Sequence, residues 1–117
     1  MEKLNLPLSG ITVVELSTVV AAPTAARVLA AYGAEVIKVE GLSGDVLRKF
    51  GDSYQVPAED GINPFFTVSN SGKKFVSLNL KTEKGMEVML RLLNKADVFI
   101  SNVREKSLKK LGLDYNS

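Results

Sequence analysis

The sequence contains no cysteine and no histidine. That excludes thiol and imidazole nucleophiles, imidazole general bases, zinc sites of the usual kind and any disulfide framework. Carboxylates and lysines are left to carry whatever chemistry there is. An excess of charge of one sign is missing too. The formal net charge of +2 is too small to name a nucleic acid or an anionic membrane as partner. Long apolar runs are also absent, none approaching the ~20 residues of a spanning helix. The N-terminal MEKLNLPLSG carries an acid and no apolar signal core. These absences predict a cytoplasmic protein with no membrane and no nucleic-acid partner. Internal repeats and low-complexity tracts are lacking as well.

What is present is an alternation of strand and helix signals in a chain of 117 residues, 45% of them apolar, enough for one compact α/β core. Residues 11–16, ITVVEL, are β-branched and apolar on both faces, as in a strand buried between helices. After the small-residue turn STVVAA, Pro23 reads as a first helical position, and Ala22, Ala25, Ala26, Leu29 and Tyr32 recur at helical spacing until Gly33 stops the helix. AEVIKVE is a second strand. Residues 41–64 are rich in Gly, Ser, Asp, Asn and Pro, with a short helix expected at 43–50, and a loop of that length is commonly functional.

FFTVSN, a turn at Ser71 and Gly72, and KKFVSLNL suggest a third strand centred on residues 75–80. Thr82 is an N-cap candidate for a helix with Met86, Met89, Leu90 and Leu93 on one face, ending near residues 94–96. ADVFISN supplies a fourth strand at 98–100, and Gly112 closes a short helix in the basic segment VREKSLKKLGL. Asp114, Asn116 and Ser117 look like the cap of a further helix, which makes the chain read as truncated. One parallel sheet from residues 11–16, 36–39, 76–80 and 98–100, with helices on both faces, follows from the alternation and the crossover rule.

Glu40 closes the second strand where a dinucleotide-binding unit keeps its ribose-binding acid. The fingerprint G-x-G-x-x-G should then follow the first strand, because its glycines let backbone approach a pyrophosphate. The turn here is STVVAAPT, whose side-chain carbons and proline disfavour a nicotinamide or flavin. Glu40 therefore reads as a solvated strand end.

The succession PLSGITVVELSTVVAAPTAARVLAAYGAEVIKVE, then GD, NSGKKFVSLNLKTEKG, ADVFISN and LKKLGLDY resembles the N-terminal part of the class III CoA-transferases, the CaiB/BaiF family. The likeness runs from Pro7 to Tyr115, loose in each motif but specific in order and spacing. NVREK and LGLDY look most like the clostridial members that move CoA between 2-hydroxy acids in amino-acid fermentation. The resemblance implies a Rossmann-like parallel sheet, an inserted second domain and a homodimer of interlocked subunits. It implies acyl-CoA and a carboxylic acid as substrates, with no metal. It also implies a nucleophilic aspartate that passes through anhydride and thioester intermediates and lies beyond these residues.

Carried over position by position, the CoA-contacting places fall on Val20, Ala21, Gly41, Leu78, Asn79, Leu80, Lys81, Asn102, Val103, Arg104 and Lys110. Lys81, Arg104 and Lys110 suit the phosphates of CoA, and Leu78 and Val103 could wall adenine or pantetheine. Without the resemblance, Lys81 is an ordinary solvated lysine, Leu78 and Val20 are packing residues, and the basic stretch 103–110 is a solvated helical face. Many members carry an arginine or another polar side chain where Gly41 stands and Pro-Gly where Glu105 and Lys106 stand, and some carry a polar side chain at the place of Val20. Glu40 and Asp45 border the long loop, with no neighbour evident to orient either on an acyl carbon. An acyl-CoA racemase of the same fold, using proton transfer beside the thioester, and a non-catalytic nucleotide- or partner-binding module remain as alternatives.

Overall fold

The structure, a computed structural model, describes residues 5–50 and 63–117. Four strands, β1 Thr12–Leu16, β2 Glu35–Glu40, β3 Lys74–Ser77 and β4 Val98–Ser101, form one sheet in the order β3-β2-β1-β4. Every pairing is parallel. Four helices alternate with them: α1 Ala21–Ala31, α2 Pro64–Asn70, α3 Glu83–Lys95 and α4 Glu105–Leu111. Of the long-loop expectation, residues 51–62 lie outside the described residues, and the short helix expected at 43–50 is a single 3-10 turn, Val46–Arg48.

The two faces of β1 serve two cores, as the period-two geometry of a strand requires. Val13 packs with Ala26, Ala34 and Val36, joined by Leu29 and Ala30 of α1. Val14 packs with Val39, Met89 and Leu113, joined by Leu92 and Leu93 of α3 and Leu108 and Leu111 of α4. Helices thus cover both faces of the sheet, as the alternation predicts. Glu15, however, interrupts the apolar strand and is fully buried.

Several local expectations shift. Helix α1 starts at Ala21 with Val20 as N-cap, so Pro23 is its third residue, still among the first-turn positions whose N–H has no intrahelical partner. Pro23 and Ala26 are its buried residues, and Tyr32 is exposed. Gly33 has φ +105°, and a Cβ there would come within 2.6 Å of Leu6. The stop is therefore required both by conformation and by space.

FFTVSN folds as α2, because Asn63 caps it, accepting from the Phe65 N–H at 2.9 Å, and Pro64 suits its first position. The third strand ends at Ser77 instead of running to residue 80. Its continuation leaves the sheet after the Leu78 N–H donates to the Glu40 carbonyl at 2.9 Å. Thr82 does cap α3, through the Gly85 N–H at 3.1 Å. Gly85 lies so near the Asn79 carbonyl that a Cβ would sit 2.0 Å from its oxygen, which presses the 78–81 turn onto the helix start. On α3, Leu90 faces outward at 47% exposure, and Leu92 packs inward instead. At the chain's end, Ser117 hydrogen-bonds Asp114 through both side chain and backbone, closing a turn.

Candidate functional site

All four strands run the same way, so their C-terminal ends open on one edge of the sheet, where open α/β sheets collect ligands. The chain turns to the other side of β1 only after β3, which puts the topological switch point between β1 and β4. Ten of the eleven places suggested by resemblance lie at the strand exits: Val20 and Ala21 after β1, Gly41 after β2, Leu78, Asn79, Leu80 and Lys81 after β3, and Asn102, Val103 and Arg104 after β4. Lys110 stands apart, in the last turn of α4.

Hydrogen bonds lace these exits together. Asn102 bridges the switch point, its Oδ1 accepting from the Thr18 N–H at 3.1 Å and its Nδ2 donating to the Thr18 carbonyl at 2.7 Å. Ser101 Oγ donates to the Leu16 carbonyl at 2.6 Å and accepts from the Val103 N–H. Ser77 Oγ reaches the Gly41 carbonyl at 3.4 Å. The Asn79 side chain is turned inward on its own loop, taking the Lys81 N–H at 3.1 Å.

Beneath the exits lies a set of charges that local pattern did not expose. Lys38 Nζ, fully buried, contacts Glu15 Oε1 at 2.9 Å, Asp45 Oδ2 at 3.1 Å and the Ser17 carbonyl at 2.9 Å. Lys73 Nζ contacts the other Glu15 oxygen at 2.6 Å, the Pro23 carbonyl at 2.8 Å and Asn70 Oδ1 at 2.8 Å. Two acids and two lysines balance one another, which is what makes burying them tolerable. Glu15 Oε2 and Asp45 Oδ2 meet their lysines as ion contacts without an aligned hydrogen bond. Burial pulls the Lys73 ammonium below the ordinary lysine range, and Glu15 opposes that pull.

Glu40 is no solvated strand end: it is 8% exposed. Arg48 grips it with two bonds, Nε to Oε1 at 2.9 Å and Nη2 to Oε2 at 2.7 Å, while the Asp45 N–H donates to Oε1 at 2.8 Å. Burial resists ionisation of Glu40, but Arg48 and the Asp45 N–H more than offset it and hold the carboxyl below its ordinary range. The same pair raises Arg48, whose guanidinium also lies 3.8 Å over the Phe66 ring and 5.4 Å from that of Phe75. Neighbours that orient Glu40 and Asp45 therefore do exist, and they turn both carboxylates inward. The signal was available in sequence as one opposite charge inside each of two adjacent apolar strands, Glu15 in TVVEL and Lys38 in EVIKVE. Parallel register sets them side by side.

The exposed cations contrast with the buried ones. Lys81, Arg104 and Lys110 are exposed and form no ion pair among the described residues, whereas Lys109 is tied to Glu105 at 2.9 Å. Leu78 and Leu80 are half-buried against the Val14 core, so their turn faces outward chiefly through backbone and Lys81. Beside the first turn of α1, Val19, Val20, Leu47, Phe50, Pro64, Phe65, Val68 and Ser69 line a cavity of about 540 Å³. Its walls are almost wholly apolar.

Residues 8–117 match the family model described as CoA-transferase family III. The chain belongs to that family. Family III relatives include an (R)-2-hydroxy-4-methylpentanoate CoA-transferase of Clostridioides difficile, 46% identical over 93% of this chain and 27% of its own length. A cinnamoyl-CoA:phenyllactate CoA-transferase of Clostridium sporogenes is 42% identical over 100% of this chain and 28% of its own. A crystal structure of a CaiB/BaiF family protein from Brucella suis superposes with a TM-score of 0.87 at 38% identity, covering 96% of this chain and 30% of that one. The chain thus spans under a third of the length of these family III proteins.

Among the described residues, no group of three or more His, Cys, Asp or Glu could hold a metal ion, and no helix is long and apolar enough to cross a membrane.

Proposed function

We propose that this chain is the CoA-binding, N-terminal part of a Rossmann-like domain in an enzyme that moves CoA between a (2-hydroxy)acyl-CoA and a free carboxylic acid. The observation that carries the reading is the gathering of the strand-exit loops at one sheet edge in a member of CoA-transferase family III. Lys81 and Arg104, exposed and without an ion pair among the described residues, suit the phosphates, where each charge-assisted contact contributes about 1.5–3 kcal/mol. Lys110 is a third candidate. Val20, Ala21, Gly41, Leu78, Asn79, Leu80, Asn102 and Val103 would frame the rest of CoA, largely through backbone. The apolar cavity beside Val20 suits an apolar acyl group.

The nucleophile of this reading is an aspartate outside residues 1–117, which attacks the thioester carbon and carries the acyl group covalently. Glu40 and Asp45 are engaged with Arg48 and Lys38 and take no part as nucleophiles. The assembly is a cytoplasmic homodimer, which sedimentation at several concentrations tests.

Incubating the full-length protein that carries this segment with an acyl-CoA and a free 2-hydroxy acid, followed by mass spectrometry, should give the exchanged CoA ester. The isolated segment should give none. Arg104→Gln should raise the Kd for CoA about tenfold. Solvent deuterium entering the carbon beside the thioester without CoA exchange would replace this reading with a racemase.

A further inference from the structure

The turn between β1 and α1 is strained and held from outside. Val19 has φ +70°, the one non-glycine residue with positive φ among those described. For a β-branched side chain this is an outlier that persists only where its surroundings over-determine it, commonly at a functional site. The surroundings here are specific. The Ser17 carbonyl accepts from Lys38 Nζ at 2.9 Å. Thr18 is gripped at both its N–H and its carbonyl by Asn102. The Val19 N–H donates to Asp45 Oδ1 at 3.3 Å. Three consecutive residues are thus fixed by side chains arriving from β2, from the loop after β2 and from the loop after β4.

Asp45 is the hinge of this arrangement. It is 2% exposed. Its Oδ1 accepts from both the Val19 and the Leu47 N–H groups, its Oδ2 meets Lys38, and its own N–H is fixed on Glu40. One carboxylate therefore couples the strained turn to the 3-10 turn carrying Leu47, and both elements line the apolar cavity. The Leu47 N–H bond is an ordinary N-cap, whereas the Val19 N–H bond ties the same carboxylate to the strained turn.

We propose that Asp45, backed by Lys38, is a positioning residue for CoA transfer: it holds residues 17–20 in a strained shape that sets Val19 and Val20 against the acyl end of the bound thioester. The proposal rests on the CoA-transferase reading above.

In the full-length protein, Asp45→Ala removes the acceptor for the Val19 N–H, and Asp45→Asn keeps an oxygen there while losing the same ion pair. Both should melt lower than the parent, Asp45→Ala the further because it also leaves the Val19 and Leu47 N–H groups without their acceptor. Asp45→Ala should lower kcat by about 10²-fold, the size of effect a misplacement near 1 Å produces, and should weaken CoA binding by a smaller factor. Asp45→Asn should recover at least about tenfold of that loss. Amide hydrogen exchange of the peptide covering residues 17–22 should speed up in Asp45→Ala and stay near parental in Asp45→Asn.

A second pair keeps the buried charges intact. Val19→Ala loses the apolar branches but keeps the strain, whereas Val19→Gly loses both, and should melt higher than Val19→Ala yet turn over more slowly. Equal kcat and equal exchange for the two Asp45 variants, or Val19→Gly as active as Val19→Ala, overturns the proposal. Absence of transfer by the unaltered protein defeats the function reading, and the exchange comparison then decides the clamp alone.

Discussion

The two edges of the sheet are held by different forces. At the N-terminal edge the incoming segment is stitched chiefly by backbone, the Leu8 N–H to Tyr32, the Glu35 N–H to Ile11 and the Asp97 N–H to Thr12, with the exposed Asp97 carboxylate taking the Thr12 N–H at 2.8 Å. The ion pair at that end, Lys74 to Glu35 at 2.8 Å, leaves both side chains at least half exposed. Under the C-terminal edge, Glu15, Lys38, Asp45 and Lys73 are buried as one set, from which Lys38 reaches the Ser17 carbonyl, Asp45 the Val19 N–H and Lys73 the Pro23 carbonyl in α1. Backbone bonds and exposed side chains close the edge that only needs closing. Buried charge appears where a loop must keep a shape it would not choose.

The sharpest way to break this comparison is to remove a charge from the buried set. Lys38→Met leaves Glu15 facing Lys73 alone and Asp45 without its cation, and should lower the unfolding free energy of the full-length protein by about 3–5 kcal/mol. Denaturant titration measures it. A loss under about 1 kcal/mol would class the set with surface pairs.

A smaller effect tests the rim of the same edge. Glu40 ionises more readily folded than unfolded. Its contribution is therefore full above the carboxylate range of the unfolded chain and is lost as pH falls through the lower folded value. Arg48→Met should cost about 2 kcal/mol at pH 7 and should flatten the loss of stability on acidification. Parallel pH curves for the two proteins would count against the Glu40–Arg48 pair as its source.

The smallest change belongs to the opposite edge. Lys74→Ala should cost no more than about 1 kcal/mol and should lose even that at high salt, as thermal melts at two ionic strengths can show.

The sequence carried the layout further than the chemistry. Strand and helix order was legible because ITVVEL is apolar on both faces, AEVIKVE and ADVFISN each hold a β-branched apolar centre, and Thr82 and Gly112 punctuate helices in the ordinary way. The candidate places came from the family resemblance, and ten of the eleven fall where that order puts strand exits. FFTVSN was not legible, since six residues cannot display a helical period and the decisive cap, Asn63, sat inside a polar stretch. The charge set was hidden for a different reason. Glu15 and Lys38 stand as single charges in strands read from their apolar residues, Asp45 and Lys73 lie in turns, and only parallel register and the return of the 41–50 segment bring them together. Strain at Val19 has no sequence signal, because valine is a residue that conformation disfavours.

Amide hydrogen exchange of the full-length protein with and without CoA tests most directly the claim that the C-terminal edge is the CoA site. Exchange should slow for the peptides covering residues 17–22, 78–81 and 102–104, with residues 5–12 and 33–35 unchanged. Protection confined to the N-terminal edge, or none at either edge at saturating CoA, would contradict it.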